Sequence, residues 1–303
     1  MPLLTTLASL SQTPASNAAD GSVDAPSTMD NQVNLLAAFI AQLRDGSGFT
    51  TGAGNVGQCR LTKSGSNLLL SPFMGNGLTI NGVIQKIPAA GVALAPTSLS
   101  VGTTYYIYAY MVSTVMTLEA VTTGHSTDAT TGVEIKTADT TRTLVGIARV
   151  ITGPAWQDTT NQRYVLSWFN RRSLVCGPTV LPTSQGNIGT SPSEITTGLR
   201  NEFLAWGGEL CSFAFEGSVS NNVAAAQSTT SIAFDGTVSD SYSAGQATNA
   251  GTFIPFACSA RATLTEGYHY ATLFAMQNVV STATYVGSGT AGARSVHSGS
   301  VQG

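Results

Sequence analysis

The stretch CSFAFEGSV (211–219) decides the reading of the fold. Cys211, Phe213, Phe215 and Gly217 alternate with Ser212, Ala214, Glu216 and Ser218, which is the two-residue period of a half-buried strand. The alternation returns in SIAFDGTV (231–238), where Ile232, Phe234, Gly236 and Val238 share a face. Outward from these, runs rich in β-branched and aromatic residues predict strands over 200–206, 252–256, 260–264, 267–276, 282–286 and 293–301. Seven or eight short strands within 199–303 are the pattern of a sandwich or jelly roll. The echo between FEGSVS (215–220) and FDGTVS (234–239) reads as two similar sheet edges, since no fixed period runs through the chain.

Upstream, Pro178, Pro182 and Pro192 with Gly177, Gly186 and Gly189 mark 173–198 as a linker. Residues 47–172 read as a first antiparallel β domain behind a glycine-rich hinge over 46–58. Its predicted strands are 68–71, 78–80, 83–87, 104–112, 116–121, 143–150 and 164–168. TYYIYAYMV (104–112) is the densest in aromatic and β-branched groups, and Asn76-Gly77 and Asn81-Gly82 are tight-turn signals. Residues 1–46 are expected to form an N-terminal arm followed by one α-helix over 29–45. Val33, Leu36, Ile40 and Leu43 recur at three and four residues, Phe39 widens the stripe, and Gly46 stops the helix. The fold class expected is therefore mainly β: an arm, one helix, and two antiparallel β domains, the last jelly-roll-like.

Composition limits the function. Charged residues make up 10% of the chain and hydrophobic ones 42%, against about 25% charged in ordinary soluble domains. So few charges on a monomer would leave much of its surface weakly solvated, and burial in an assembly resolves this. With a net charge of −3 and no basic block, nucleic-acid binding is not expected. No run approaches the length of a spanning helix, so membrane insertion is not expected. MPLLTTLASLSQ (1–12) lacks the basic start of a secretory signal, which predicts synthesis in a cytoplasm. Cys59, Cys176, Cys211 and Cys258 lack metal-site spacing and read as buried thiols, with a Cys211–Cys258 disulfide left open.

Three stretches carry a resemblance. NAADGSVDAPSTMDNQVNLLAAFIAQLRDG (17–46) resembles the attachment end of tailed-bacteriophage fibre proteins. TYYIYAYMV (104–112), TGHSTDATTGVEIKTADTTRTLVGIARV (123–150) and RYVLSWFNRR (163–172) together resemble a β module of phage tail and head fibres, with its LVG step and closing LSWFNRR strand. LTEGYHYATLFA (264–275) and SVHSGSVQG (295–303) resemble trimeric jelly rolls of the TNF and complement type. The resemblance implies a virion protein, homotrimeric, joined to phage capsid or tail proteins through 1–46, with a distal domain that meets the host surface. It also implies an inter-chain seam at Tyr268, Tyr270 and Phe274, separate from the basal interface that the helix stripe Val33, Leu36, Phe39, Ile40 and Leu43 should form with copies of itself or a partner. A capsid decoration protein and a polysaccharide-acting enzyme are the alternatives.

Chemistry is sparse, and neither an enzyme nor a cofactor or metal is expected. Gly52, Gly54 and Gly57 match a dinucleotide fingerprint, but no acid lies between Asp45 and Glu119, so a hinge is the better reading. His125 with Asp128 reads as a polar turn, and His269 should face away from Tyr268 and Tyr270. Trp156 and Tyr242, in loop-like surroundings, are the candidate glycan contacts, whereas Trp168 and Trp206 lie in strands and should be buried.

Overall fold

The computed structural model describes Val33, Leu36 and residues 57–288 and 294–303. Val33 and Leu36 are helical and exposed, at 63% and 50%. Phe39, Ile40, Leu43 and the arm lie outside the described residues.

The chain is mainly β. Thirteen strands precede residue 168: β1 (Cys59–Ser64), β2 (Asn67–Pro72), β3 (Gly77–Ile80), β4 (Val83–Lys86), β5 (Val92–Leu94), β6 (Thr104–Val112), β7 (Val115–Val121), β8 (His125–Thr127), β9 (Glu134–Lys136), β10 (Asp139–Ile151), β11 (Ala155–Trp156), β12 (Gln162–Arg163) and β13 (Val165–Ser167). The long strand β10 organises the first unit. It lies between β6 and β9 in the order β7-β6-β10-β9-β8, and also pairs β11 and β13. A three-stranded sheet, β1-β2-β5, and the β3-β4 hairpin pack beside it. Asn81 and Gly82 turn that hairpin with φ of 51° and 72°, as the Asn-Gly signal predicts. Gly146, the glycine of the LVG step, sits at a register shift of β10. A Cβ there would come within 2.4 Å of the Leu166 carbonyl and 2.5 Å of the Leu61 side chain, so only glycine lets these layers approach.

Eleven strands follow: β14 (Ser173–Val180), β15 (Gln185–Ile188), β16 (Ser193–Glu194), β17 (Asn201–Ala205), β18 (Leu210–Asn221), β19 (Gln227–Phe234), β20 (Thr237–Gln246), β21 (Ile254–Thr263), β22 (Gly267–Gln277), β23 (Thr282–Tyr285) and β24 (Val296–Gln302). One sheet runs β12-β17-β22-β19-β20 with β16 on β22. The other runs β14-β24-β18-β23-β15 with β21 on β18. The two sheets bury a common core, where Phe203 of β17 stacks on Phe213 of β18 at 5.1 Å. Tyr108, Leu144, Ile147 and Leu166 of the first unit belong to the same core, so the units share apolar interior as well as polar contacts.

Several expectations are corrected. The stretch 173–198, expected as a linker, supplies β14, β15 and β16. Pro178 is tolerated because β14 is an edge strand, where a missing N–H costs little. The run 231–238 is not one strand: Asp235 and Gly236, at φ of 52° and 81°, turn β19 into β20. The runs 252–256 and 260–264 merge into β21. Cys211 and Cys258 are free and buried. Cys258 lies opposite Phe215 and Cys211 opposite Ala262, an offset of four residues. That offset is about 13 Å along a strand, too far for a disulfide.

Candidate functional site

Two arrangements gather the polar and aromatic side chains. The first is the outer face of β22. Tyr268, Tyr270 and Phe274 all lie on this face, half-buried, while His269 points the other way and is buried. The Arg149 guanidinium sits 4.0 Å over the Tyr268 ring and that of Arg200 sits 3.9 Å over Tyr270. Arg200 is held by a two-pronged pair to Glu194, at 2.8 and 2.7 Å. The hydrogen bonds from Arg200 hold the Glu194 carboxyl below its usual range. Tyr268 donates to Glu202; burial raises that carboxyl, but bonds from Gln162, Tyr268 and Tyr164 outweigh burial and leave it lowered. Tyr268 and Tyr270 are thus already engaged by their own chain.

Phe274 lies further along the same face. Ser231 pairs with Tyr242 on one side and Phe274 on the other, so these two residues fall in one cross-strand row. With Pro192, Val238 and Met276 they line a shallow depression. Tyr242 is 51% exposed, in keeping with its reading as a surface aromatic. Trp156 is not exposed: it is buried, and its indole N–H donates to the Leu94 carbonyl at 2.9 Å. Its neighbours in sequence look loop-like, but β11 folds it under the β1-β2-β5 layer. Trp168, expected to be buried, is only half-buried.

The second arrangement lies where the two units meet. His125 of β8 places Nδ1 2.5 Å from a Glu134 oxygen of β9 and Nε2 3.1 Å from a Glu266 oxygen in the β21–β22 turn. The Tyr106 hydroxyl donates to the other Glu266 oxygen at 2.6 Å, and Thr127 donates to Glu134. Beside them Trp168 and Trp206 meet edge to face at 4.9 Å. Arg171 lies over both rings and pairs with Glu209. The bond to Glu266 raises the His125 pKa; burial opposes it and the bond to Glu134 adds to it. Burial pushes the Glu266 carboxyl up, but the bonds from His125 and Tyr106 outweigh it and hold it lowered. Of the expected His125–Asp128 polar turn, Asp128 does cap the backbone, accepting from the Thr130 and Thr131 N–H groups, whereas His125 turns away to Glu134 and Glu266. Glu134 and Glu266 were not found by sequence reasoning. Glu266 lies 141 positions from His125 and no local signal joins them.

These two sites and the two stacked sheets define a mainly β protein whose polar groups brace its strands. No family model and no curated protein matches the sequence. Among solved structures, a chain from the structure of infectious bursal disease virus, Gx strain, overlaps 84% of this chain and 76% of its own length. Its sequence identity is 10% and the TM-score 0.24, too loose an overlap to define a shared fold.

Proposed function

We propose that the chain is a structural subunit of a tailed-phage particle. In this reading it forms a homotrimeric fibre, anchored to capsid or tail proteins through residues 1–46, with the C-terminal sandwich, read as jelly-roll-like, facing the host. One observation carries the assembly: the outer face of the β14-β24-β18-β21 sheet is open and nearly free of charge. Ser212 and Ala214 of β18 lie between Ser298 and Ser300 of β24 and Ser259 and Arg261 of β21. Among the described residues of this face, Glu216 and Arg261 are the charges. Val175 and Leu210, on its margins, are 58% and 52% exposed. A smooth face of small side chains lets a neighbouring backbone approach closely, and its burial desolvates little charge. The exposed helical Val33 and Leu36 favour an anchor at the other end of the chain.

The host-facing role draws on the sandwich end away from His125. Register brings the loops 189–192, 222–226, 247–253 and 278–281 together there. They carry no charged residue and expose Phe253 and Val280, at 53% and 83%. Tyr242 and Phe274 flank the same sheet.

Light scattering on the purified protein tests the reading. A mass near three chains is expected, and Ala214→Arg should lower it to one chain, since it places a charge in the middle of the face without touching the core. A monodisperse wild-type monomer would overturn the trimer. A trimer that tolerates Ala214→Arg would move the seam elsewhere, with Tyr242 and Phe274 next in line.

A further inference from the structure

We propose that His125 is a proton-operated clasp on the Glu266 turn at the seam of the two β units, closed when its ring is the imidazolium and with its Glu266 contact released when the ring is neutral. The geometry requires two donors. A neutral imidazole carries one N–H and one lone pair, yet both ring nitrogens of His125 face carboxylate oxygens. A lone pair against a carboxylate is repulsive, so the neutral ring can keep only one of its two bonds. The shorter contact is to Glu134, on the neighbouring strand of the same sheet. The longer one crosses to Glu266 in the other unit. Loss of the proton therefore falls on the His125–Glu266 contact, which crosses the seam beside the bond from Tyr106 to the other Glu266 oxygen.

The groups around the ring agree. On β6, Tyr106 donates to Glu266 and Tyr108 donates to the Thr123 carbonyl, and burial holds both phenols protonated, so neither replaces the lost proton. Arg171 is committed to Glu209 and to the two indole rings. Lys136, next to Glu134, pairs with Glu119. No neighbouring cation is thus free to take over the Glu266 contact among the described residues. The His125 pKa is raised, so the stabilisation is complete below the ordinary histidine value near 6.5 and fades as pH rises through the folded value. Glu266 titrates the other way. Its pKa is lowered, so its contribution is complete above the ordinary value of 4.5 and fades as pH falls below it. The clasp is closed between these limits.

The test uses the full chain. Nitrogen-detected NMR of the histidine rings, with His125→Gln assigning the signal, should show both His125 nitrogens protonated at pH 6 and a midpoint above 6.5. Hydrogen exchange of the turn around Glu266, corrected for the intrinsic pH dependence, should accelerate through the same midpoint. The rise should be about tenfold for each pH unit by which His125 is raised. Glu266→Gln, which removes one charge and keeps the shape, should move the midpoint toward 6.5. It carries the test alone if His125→Gln does not fold. A His125 midpoint at or below 6.5, a Glu266 turn indifferent to it, or a midpoint unmoved by Glu266→Gln would each overturn the clasp.

Discussion

The seam between the units and the interior of the C-terminal sandwich each contain a histidine, and the two are held in opposite ways. His125 has carboxylates on both nitrogens, and its surroundings favour the charged ring. His297 of β24 is buried against Phe213 and Phe215, with Nδ1 bound to the Leu199 carbonyl and Nε2 without a partner. Burial pushes its pKa down to about 4. The same residue type thus acts as a cation where acids converge and as a neutral aromatic where sheets stack. The interior is held by apolar area and shape, whereas the seam adds charge to a smaller apolar contact.

That contrast can be broken from either side. The largest effect should come from the interior. Phe213→Ala removes a ring that touches Phe203, Phe234 and His297, and should cost about 3–5 kcal/mol in chemical denaturation. Next is acid. His297 must protonate on unfolding, so its contribution, complete above pH 6.5, is lost as pH falls toward about 4. The loss should be on the order of 3 kcal/mol, read as a falling urea midpoint that His297→Gln flattens. Gly299→Ala should follow, at about 1–3 kcal/mol. Its Cβ would come within 2.3 Å of the Phe213 ring and 2.5 Å of the Ser212 carbonyl, and the backbone cannot yield as a side-chain tip can. At the seam, Glu266→Gln should cost only about 1 kcal/mol at pH 6, because the carboxylate is partly exposed and solvent screens it. The smallest effect should be that of a reductant. All four thiols are buried, and burial raises their pKa to about 11 or 12, so thermal midpoints with and without reductant should coincide.

What the sequence discloses follows the same division. Strands with a clear period were legible: 104–112 coincides with β6, and 267–276 nearly with β22. The echo FEGSVS and FDGTVS shows where local reading stops. Glu216 and Gly217 continue β18, with Gly217 pressed against Ser295, while Asp235 and Gly236 reverse the chain. The Asp-Gly pair is itself a turn signal, and here it outweighs the alternation around it. The prolines of 173–198 pointed to a linker because sequence does not say which strand will be an edge. The burial of Trp156 is hidden for a related reason, since its cover comes from a layer more than fifty residues upstream. The seam was illegible: His125, Glu134 and Glu266 are ordinary residues until two sheets bring them together.

The position of β24 has a consequence for how the chain acquires its structure. This strand lies between β14 and β18, more than a hundred residues after the first of them. During synthesis both flanking strands are complete while the place between them is vacant, and the sheet closes only when residues 296–302 arrive. Such late, long-range closure makes folding slow. It also leaves two unpaired edges that accept a strand of this sequence from any copy nearby. Strand exchange at high local concentration is the expected outcome, with β24 of one chain completing the sheet of another, and refolding yields that fall with chain concentration would reveal it.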